Sequence, residues 1–162
     1  MLIRDVLTPG LRVVFCGTAL GAQSARVGVY YAGRGNQFWT TLHEVGLTPT
    51  VLRPDQYSVL LEHGIGLTDV CKTRSGSDAE VGGDGFDVPR LIAELERYSP
   101  AWIAFNGKNA ARAALGRPVN YGEQPERLGG VQCFVLPSTS GAARGFWDID
   151  VWHNLARIVP SG

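Results

Sequence analysis

Leu11–Gly21 reads LRVVFCGTALG, an apolar run through Val13–Cys16 that stops at Gly17 and gives way to small residues and a second glycine. A continuously apolar run bounded by glycine fits a strand covered on both faces. Two further stretches share this form, AWIAFNG (Ala101–Gly107) and VQCFVLPS (Val131–Ser138). A fourth, GIGLTDV (Gly64–Val70), is weaker and reads as strand or loop. Helical patterns lie between and around them. NQFWTTLHEVG sets Phe38, Leu42 and Val45 on one side and ends at Gly46. RPDQYSVLLEHG runs from Pro54 and Asp55 to Gly64, and DVPRLIAELERY opens with Asp87 as a helix cap and Pro89 in its first turn. KNAARAAL and DIDVWHNLARIV complete the set. Strands alternating with helices predict an α/β fold built on a parallel, doubly wound sheet.

The 162 residues fit a single domain, residues 1–162. No window approaches 18 apolar residues, so no membrane span is expected. The opening MLIRDVLTPG carries charges and no cleavage pattern, which argues against a secretory signal. Cys16, Cys71 and Cys133 are scattered and odd in number, as reduced thiols of a cytoplasmic protein are. Net charge is zero, with 15 basic and 15 acidic residues, yet the signs are segregated. Ala101–Arg144 carries Lys108, Arg112, Arg117, Arg127 and Arg144 against Glu123 and Glu126, whereas Asp78–Glu96 is acidic. One face is thus able to meet phosphates, although two solvated helix faces explain the pattern equally well.

In an open α/β sheet a ligand sits beyond the carboxyl ends of the strands. Here those ends are GTALG, FNGK and PSTSG, with LTDV supplying a carboxylate. GTALG is not a dinucleotide fingerprint, FNGK is not a triphosphate loop, and no G-x-S-x-G marks a serine hydrolase. His43, His63 and His153 have no metal-ligand spacing. No metal and no redox cofactor is expected.

Taken in order, LTPGLRVVFCGTALG, YYAGRGNQFW, GLTDV, FNGK and VLPSTSG resemble the mismatch-specific uracil/thymine-DNA glycosylase family of the uracil-DNA glycosylase superfamily, from Leu7 to about Arg157. The resemblance implies a three-layer α/β/α sandwich around a central four-stranded, mainly parallel sheet. It also implies hydrolysis of the N-glycosidic bond of a damaged base that is flipped out of DNA into a snug pocket. The base pocket implied comprises Gly17, Thr18, Ala19, Leu20, Tyr31 and Asn36. Tyr31 matches the ring that stacks on the extruded base, and the backbone amides of Thr18 and Leu20 are expected to receive the leaving base. Asn36 is expected to cap the helix that Phe38 and Trp39 anchor in the core.

This chain departs from the family pattern at three places. The family's first loop reads G-I-N-P-G, and its asparagine positions the attacking water; here that residue is Ala19, with Leu20 in place of the proline. Asp69 is the replacement expected for the catalytic role, because a carboxylate both orients water and accepts its proton beside an oxocarbenium-like sugar. Capping of the following turn is its bland alternative, and Asp78 and Asp84 are lesser substitutes. The segment entering DNA begins with Ser138 where the family has asparagine or histidine, and Ala142 stands where a bulky wedge fills the vacated stack. Lys108, Ser138, Ser140, Gly141, Ala142 and Arg144 form the expected DNA contact. Asn106 is expected either to cap the helix that Lys108 opens or to contact a base edge, capping being the preferred reading.

The resulting expectation is a monofunctional, monomeric, cytoplasmic uracil-DNA glycosylase acting on double-stranded DNA and on single strands as well. No lysine nucleophile is evident in the crevice, so strand cleavage is not expected. The alternatives are a non-catalytic binder of abasic or flipped-base DNA and a glycosylase for another base such as hypoxanthine.

Overall fold

The apolar runs pair into one five-stranded sheet in the order β2-β1-β3-β5-β4. The structure is a computed structural model describing residues 3–76 and 85–162. Its strands are β1 (Val13–Gly17), β2 (Ile65–Asp69), β3 (Trp102–Asn106), β4 (Gly122–Leu128) and β5 (Val131–Leu136). β1, β2, β3 and β5 run parallel, while β4 pairs antiparallel with β5 at the edge. The expected four strands are therefore present, and β4 is a fifth that the sequence reading lacks. Its GEQPERL alternates between half-buried and exposed positions, so it has no apolar run to mark it. The hairpin turns at Gly129 and Gly130, whose φ values of +56° and +79° suit a two-residue loop that β-carbons would strain.

Among the described residues five α-helices cover the sheet: α1 (Ala22–Val27), α2 (Phe38–Glu44), α3 (Val88–Tyr98), α4 (Lys108–Leu115) and α5 (Ile149–Ile158). Pro54–His63 and Gly141–Phe146 are 3-10 helices. The first was expected as an ordinary helical stretch; Gln56 is non-helical within it, and Leu60 is its only buried side chain, so it is a kinked segment docked at one point.

Strand side chains alternate between two cores. Val13, Phe15, Ala104 and Leu136 pack with Phe38, Leu42, Trp152 and Leu155 on one face. Cys16, Ile103, Phe105 and Val135 pack with Leu91, Leu95, Ala110 and Ala114 on the other. This is the three-layer sandwich, and it explains why β1, β3 and β5 are apolar without interruption. Cys16, Cys71 and Cys133 are buried free thiols within it.

Helix ends follow their sequence signals in part. Asp87 Oδ1 accepts from Arg90 N at 3.1 Å at the start of α3, whereas at α2 the cap position is Gln37, with no side-chain cap, and Asn36 one residue ahead accepts from Phe38 N at 3.0 Å. Val6 exchanges two backbone hydrogen bonds of 2.9 Å with Leu67, laying the N-terminal segment along β2. Gly66 permits this approach, since a β-carbon there would stand 2.6 Å from the Val6 carbonyl oxygen and from Leu11 Cδ1. No helix among the described residues is long and apolar enough to cross a membrane.

Candidate active site

From β1 the chain goes to β2 on one side and then to β3 on the other. The carboxyl ends of β1 and β3 therefore splay apart, which is where open α/β sheets hold ligands. A cavity of about 650 Å³ opens there. Its walls come from Gly17–Ser24 after β1, Tyr30–Asn36 ahead of α2, Asn106–Arg112 after β3 and Ser138–Phe146 after β5. Asp69, the last residue of β2, lies on its floor.

Strand register sets the floor. Gly17 and Asp69 are paired across β1 and β2. A β-carbon on Gly17 would lie 2.9 Å from Asp69 Oδ1. Room for the carboxylate thus comes from the absent side chain at Gly17.

Asp69 is only 2% exposed, and its two oxygens have different surroundings. Oδ2 receives Lys72 Nζ at 3.1 Å. Oδ1 lies against Gly17, 2.9 Å from where a β-carbon there would stand. The Lys72 ammonium also lies 3.1 Å from Asp5 Oδ1 and donates to Tyr30 Oη at 2.8 Å. Arg90 closes the network, pairing with Asp5 Oδ2 at 2.9 Å and donating to the Asp69 backbone carbonyl.

Burial pushes the Asp69 carboxyl above the ordinary carboxylate range, and Lys72 opposes that rise by charge and hydrogen bond. Burial, with Asp69 nearby, raises the Tyr30 and Tyr31 phenols far enough to keep both neutral. Of the titratable groups on the cavity floor, Asp69 is thus the one whose carboxyl is raised by burial and opposed by a cation, while the two phenols stay protonated. A desolvated carboxylate with a specific charge partner in a cleft is a recurrent mark of a functional site.

The profile of the uracil DNA glycosylase superfamily matches residues 5–155. The chain belongs to the uracil DNA glycosylase superfamily. The solution NMR structure of a candidate uracil DNA glycosylase from Methanosarcina acetivorans shares the fold, with a TM-score of 0.65 at 23% identity over 96% of this chain and 93% of that one. Uracil DNA glycosylase superfamily proteins act on DNA, which supports DNA as the partner and glycosylase chemistry as the activity.

For a glycosylase, the arrangement of the expected residues is informative. Gly17, Thr18, Ala19, Leu20, Tyr31 and Asn36 all line the cavity. Tyr31 adopts φ +51° and stacks one ring face on Phe38 at a centroid distance of 4.0 Å and 22° between planes. Phe38 and Trp39 are buried beneath it, as expected.

Asn106 departs from its expected cap. Its amide is tied to Thr139 by Nδ2 donating to Oγ1 at 2.9 Å and Oδ1 accepting from Thr139 N at 3.0 Å. The cap position of α4 is Gly107, whose φ of +112° brings a would-be β-carbon 3.2 Å from Ser138 Cβ. Asn106 therefore locks the β3 loop to the β5 loop instead of closing its own helix.

On the expected DNA face, Lys108 lies 4.4 Å over the Tyr121 ring, and Arg34 and Arg112 join it in lining the cavity. Ser138 Oγ accepts from Ser140 N at 3.2 Å and Ser140 Oγ from Ala142 N at 3.3 Å, so both hydroxyls brace the turn. Arg144 reaches back to the Gly35 carbonyl at 3.3 Å. Arg117 is taken up by Glu126 and Arg127 by the Gly130 carbonyl, so the basic segment only partly faces the cavity.

Three features escaped the sequence reading. Lys72 sits directly behind Asp69 although no lysine was expected near it. Asp5 arrives from the far end of the chain. Phe146 is 73% exposed on the cavity rim, four residues beyond the expected wedge at Ala142. The Asp-x-x-Lys spacing of TDVCK carried a local signal for the first; Asp5 had none. Asp78 and Asp84 lie outside the described residues. Among the described residues no cluster of histidine, cysteine or acidic side chains is placed to hold a metal.

Proposed function

We propose that the protein excises uracil from DNA as a monofunctional glycosylase, with Asp69 activating the attacking water. The observation that supports this reading is the asymmetry of the buried carboxylate at the cavity floor, with Oδ2 held by Lys72 and Oδ1 beside Gly17. The flipped nucleotide enters the cavity and its base lies on the free face of Tyr31. As the N-glycosidic bond lengthens, positive charge gathers on the sugar and the Asp69 carboxylate stabilises it. Water held by Oδ1 attacks C1′ and passes a proton to Asp69. The bonding pair leaves with uracil N1, and the base anion is received by the backbone amides at Thr18 and Leu20.

Lys108, Ser138, Ser140, Gly141 and Arg144 are assigned to the DNA backbone. Phe146, not Ala142, is the apolar side chain with reach into the stack, because it is exposed and at the rim. The protein works as a single-domain monomer in the cytoplasm, and the resemblance to the mismatch-specific family belongs to this reading as well. No metal takes part in it.

Ala19, Ser138 and Ala142 favour a second reading, a binder of abasic or flipped-base DNA that does not cut the glycosidic bond. A single-turnover assay on uracil-containing oligonucleotides separates the two. Abasic product at a rate far above the uncatalysed one supports the enzyme. Tight binding of abasic DNA with no product from uracil or hypoxanthine supports the binder.

A further inference from the structure

Lys72 is 5% exposed and shared among three parts of the chain: it donates to Asp69 and Tyr30 and pairs by charge alone with Asp5 Oδ1 at 3.1 Å. Asp69 closes β2, Asp5 lies on the N-terminal segment that Val6 pairs to Leu67, and Tyr30 lies between α1 and α2. A lysine that only balanced one buried carboxylate would need one of these partners. We propose that Lys72 and Asp5 form a shared-ammonium clamp that positions Asp69, Lys72 holding Oδ2 so that Oδ1 faces the cavity and Asp5 competing for the same ammonium. Lys72 does not itself line the cavity, so it acts there only through Asp69. The inference rests on the proposed role of Asp69 for its effect on rate, but not for its effect on the carboxyl group.

The groups facing Asp69 are Lys72 beyond β2, Asp5 on the N-terminal segment, Arg90 on α3, Cys16 on β1, and Tyr30 and Tyr31 ahead of α2. The two phenols and the thiol are neutral, which leaves two cations and one competing anion. Lys72 and Arg90 favour the ionised carboxylate, and Asp5 disfavours it both directly and by drawing on Lys72 and Arg90. Removing Lys72 and removing the Asp5 charge must therefore move Asp69 in opposite directions. A merely structural ion pair gives no such opposition in the chemistry of the cavity.

The test is a titration of the Asp69 carboxyl carbon by ¹³C NMR in the wild-type chain, Lys72→Met and Asp5→Asn, with Asp69→Asn identifying the resonance. Single-turnover pH–rate profiles on a uracil oligonucleotide run alongside. Lys72→Met is expected to move the midpoint to higher pH and Asp5→Asn to lower pH. The acid limb of the rate should follow, with about a tenfold difference in rate for each pH unit moved. Midpoints that stay in place, or that move the same way, overturn the clamp. Opposite midpoint shifts that the rate ignores uphold the clamp and overturn the catalytic role of Asp69. If Lys72→Met does not fold, Asp5→Asn decides alone, since an unchanged or raised midpoint there overturns the proposal.

Discussion

Asp69 Oδ1 stands 2.9 Å from the point a β-carbon on Gly17 would occupy, and Lys72 pins the other oxygen so that the carboxylate has little freedom to yield. Gly17→Ala should therefore displace the acid. Overpacking of this kind costs about 1–3 kcal/mol in stability. Misplacing a reacting group by about 1 Å can cost roughly a hundredfold in rate. A single-turnover assay with a thermal melt checks both, and a folded Gly17→Ala chain with wild-type rate would contradict the placement.

The raised Asp69 carboxyl has two consequences of defined sign. As a base it must be ionised, so excision should fall with decreasing pH along a limb lying above the ordinary aspartate range. Stability runs the other way. A carboxyl whose folded midpoint is raised contributes stability that is fully present below its unfolded value and lost as pH rises through the folded one. Urea unfolding of wild type and Asp69→Asn at several pH values should show this difference, with the wild-type curve declining relative to the variant as pH rises through that interval.

Phe146 is exposed enough that its removal should leave the fold within about 0.5 kcal/mol. If it fills the stack, Phe146→Ala should slow excision from duplex DNA by about tenfold or more, since unstacking a step costs a few kcal/mol. Excision from single-stranded DNA should be unchanged. Equal losses on both substrates would remove Phe146 from the wedge role, and Ala142→Leu offers the complementary gain on duplex.

Tyr31 presents its ring to the cavity with Phe38 behind it. Tyr31→Leu keeps an apolar side chain but removes the platform. Base–aromatic stacking is worth about 1–3 kcal/mol per base, so the single-turnover rate should fall by roughly five- to a hundredfold. An unchanged rate would assign the ring to packing alone.

β1, β3 and β5 were legible because both faces of each strand are buried, which writes an uninterrupted apolar run. β2 was legible only in part. Gly66 and Thr68 interrupt its pattern, and the glycine is there for the N-terminal segment, a contact that local sequence does not announce. β4 escaped as a polar edge, although Gly129 and Gly130 marked its turn. In the site, the strand-end loops and the carboxylate at Asp69 followed from topology. The clamp did not, because Asp5 meets Lys72 across 67 positions of chain through the Val6–Leu67 pairing. Asn106 was misread for a similar reason, since Thr139 is a distant partner with two hydrogen bonds where a local cap offers one.

The most direct measurement is the single-turnover rate of Asp69→Asn on a uracil-containing oligonucleotide, read together with its affinity for abasic DNA. The amide keeps the shape of the side chain but cannot take the proton from water. A loss of about a hundredfold or more with affinity unchanged is the expected result. Uracil release at the wild-type rate would contradict the account.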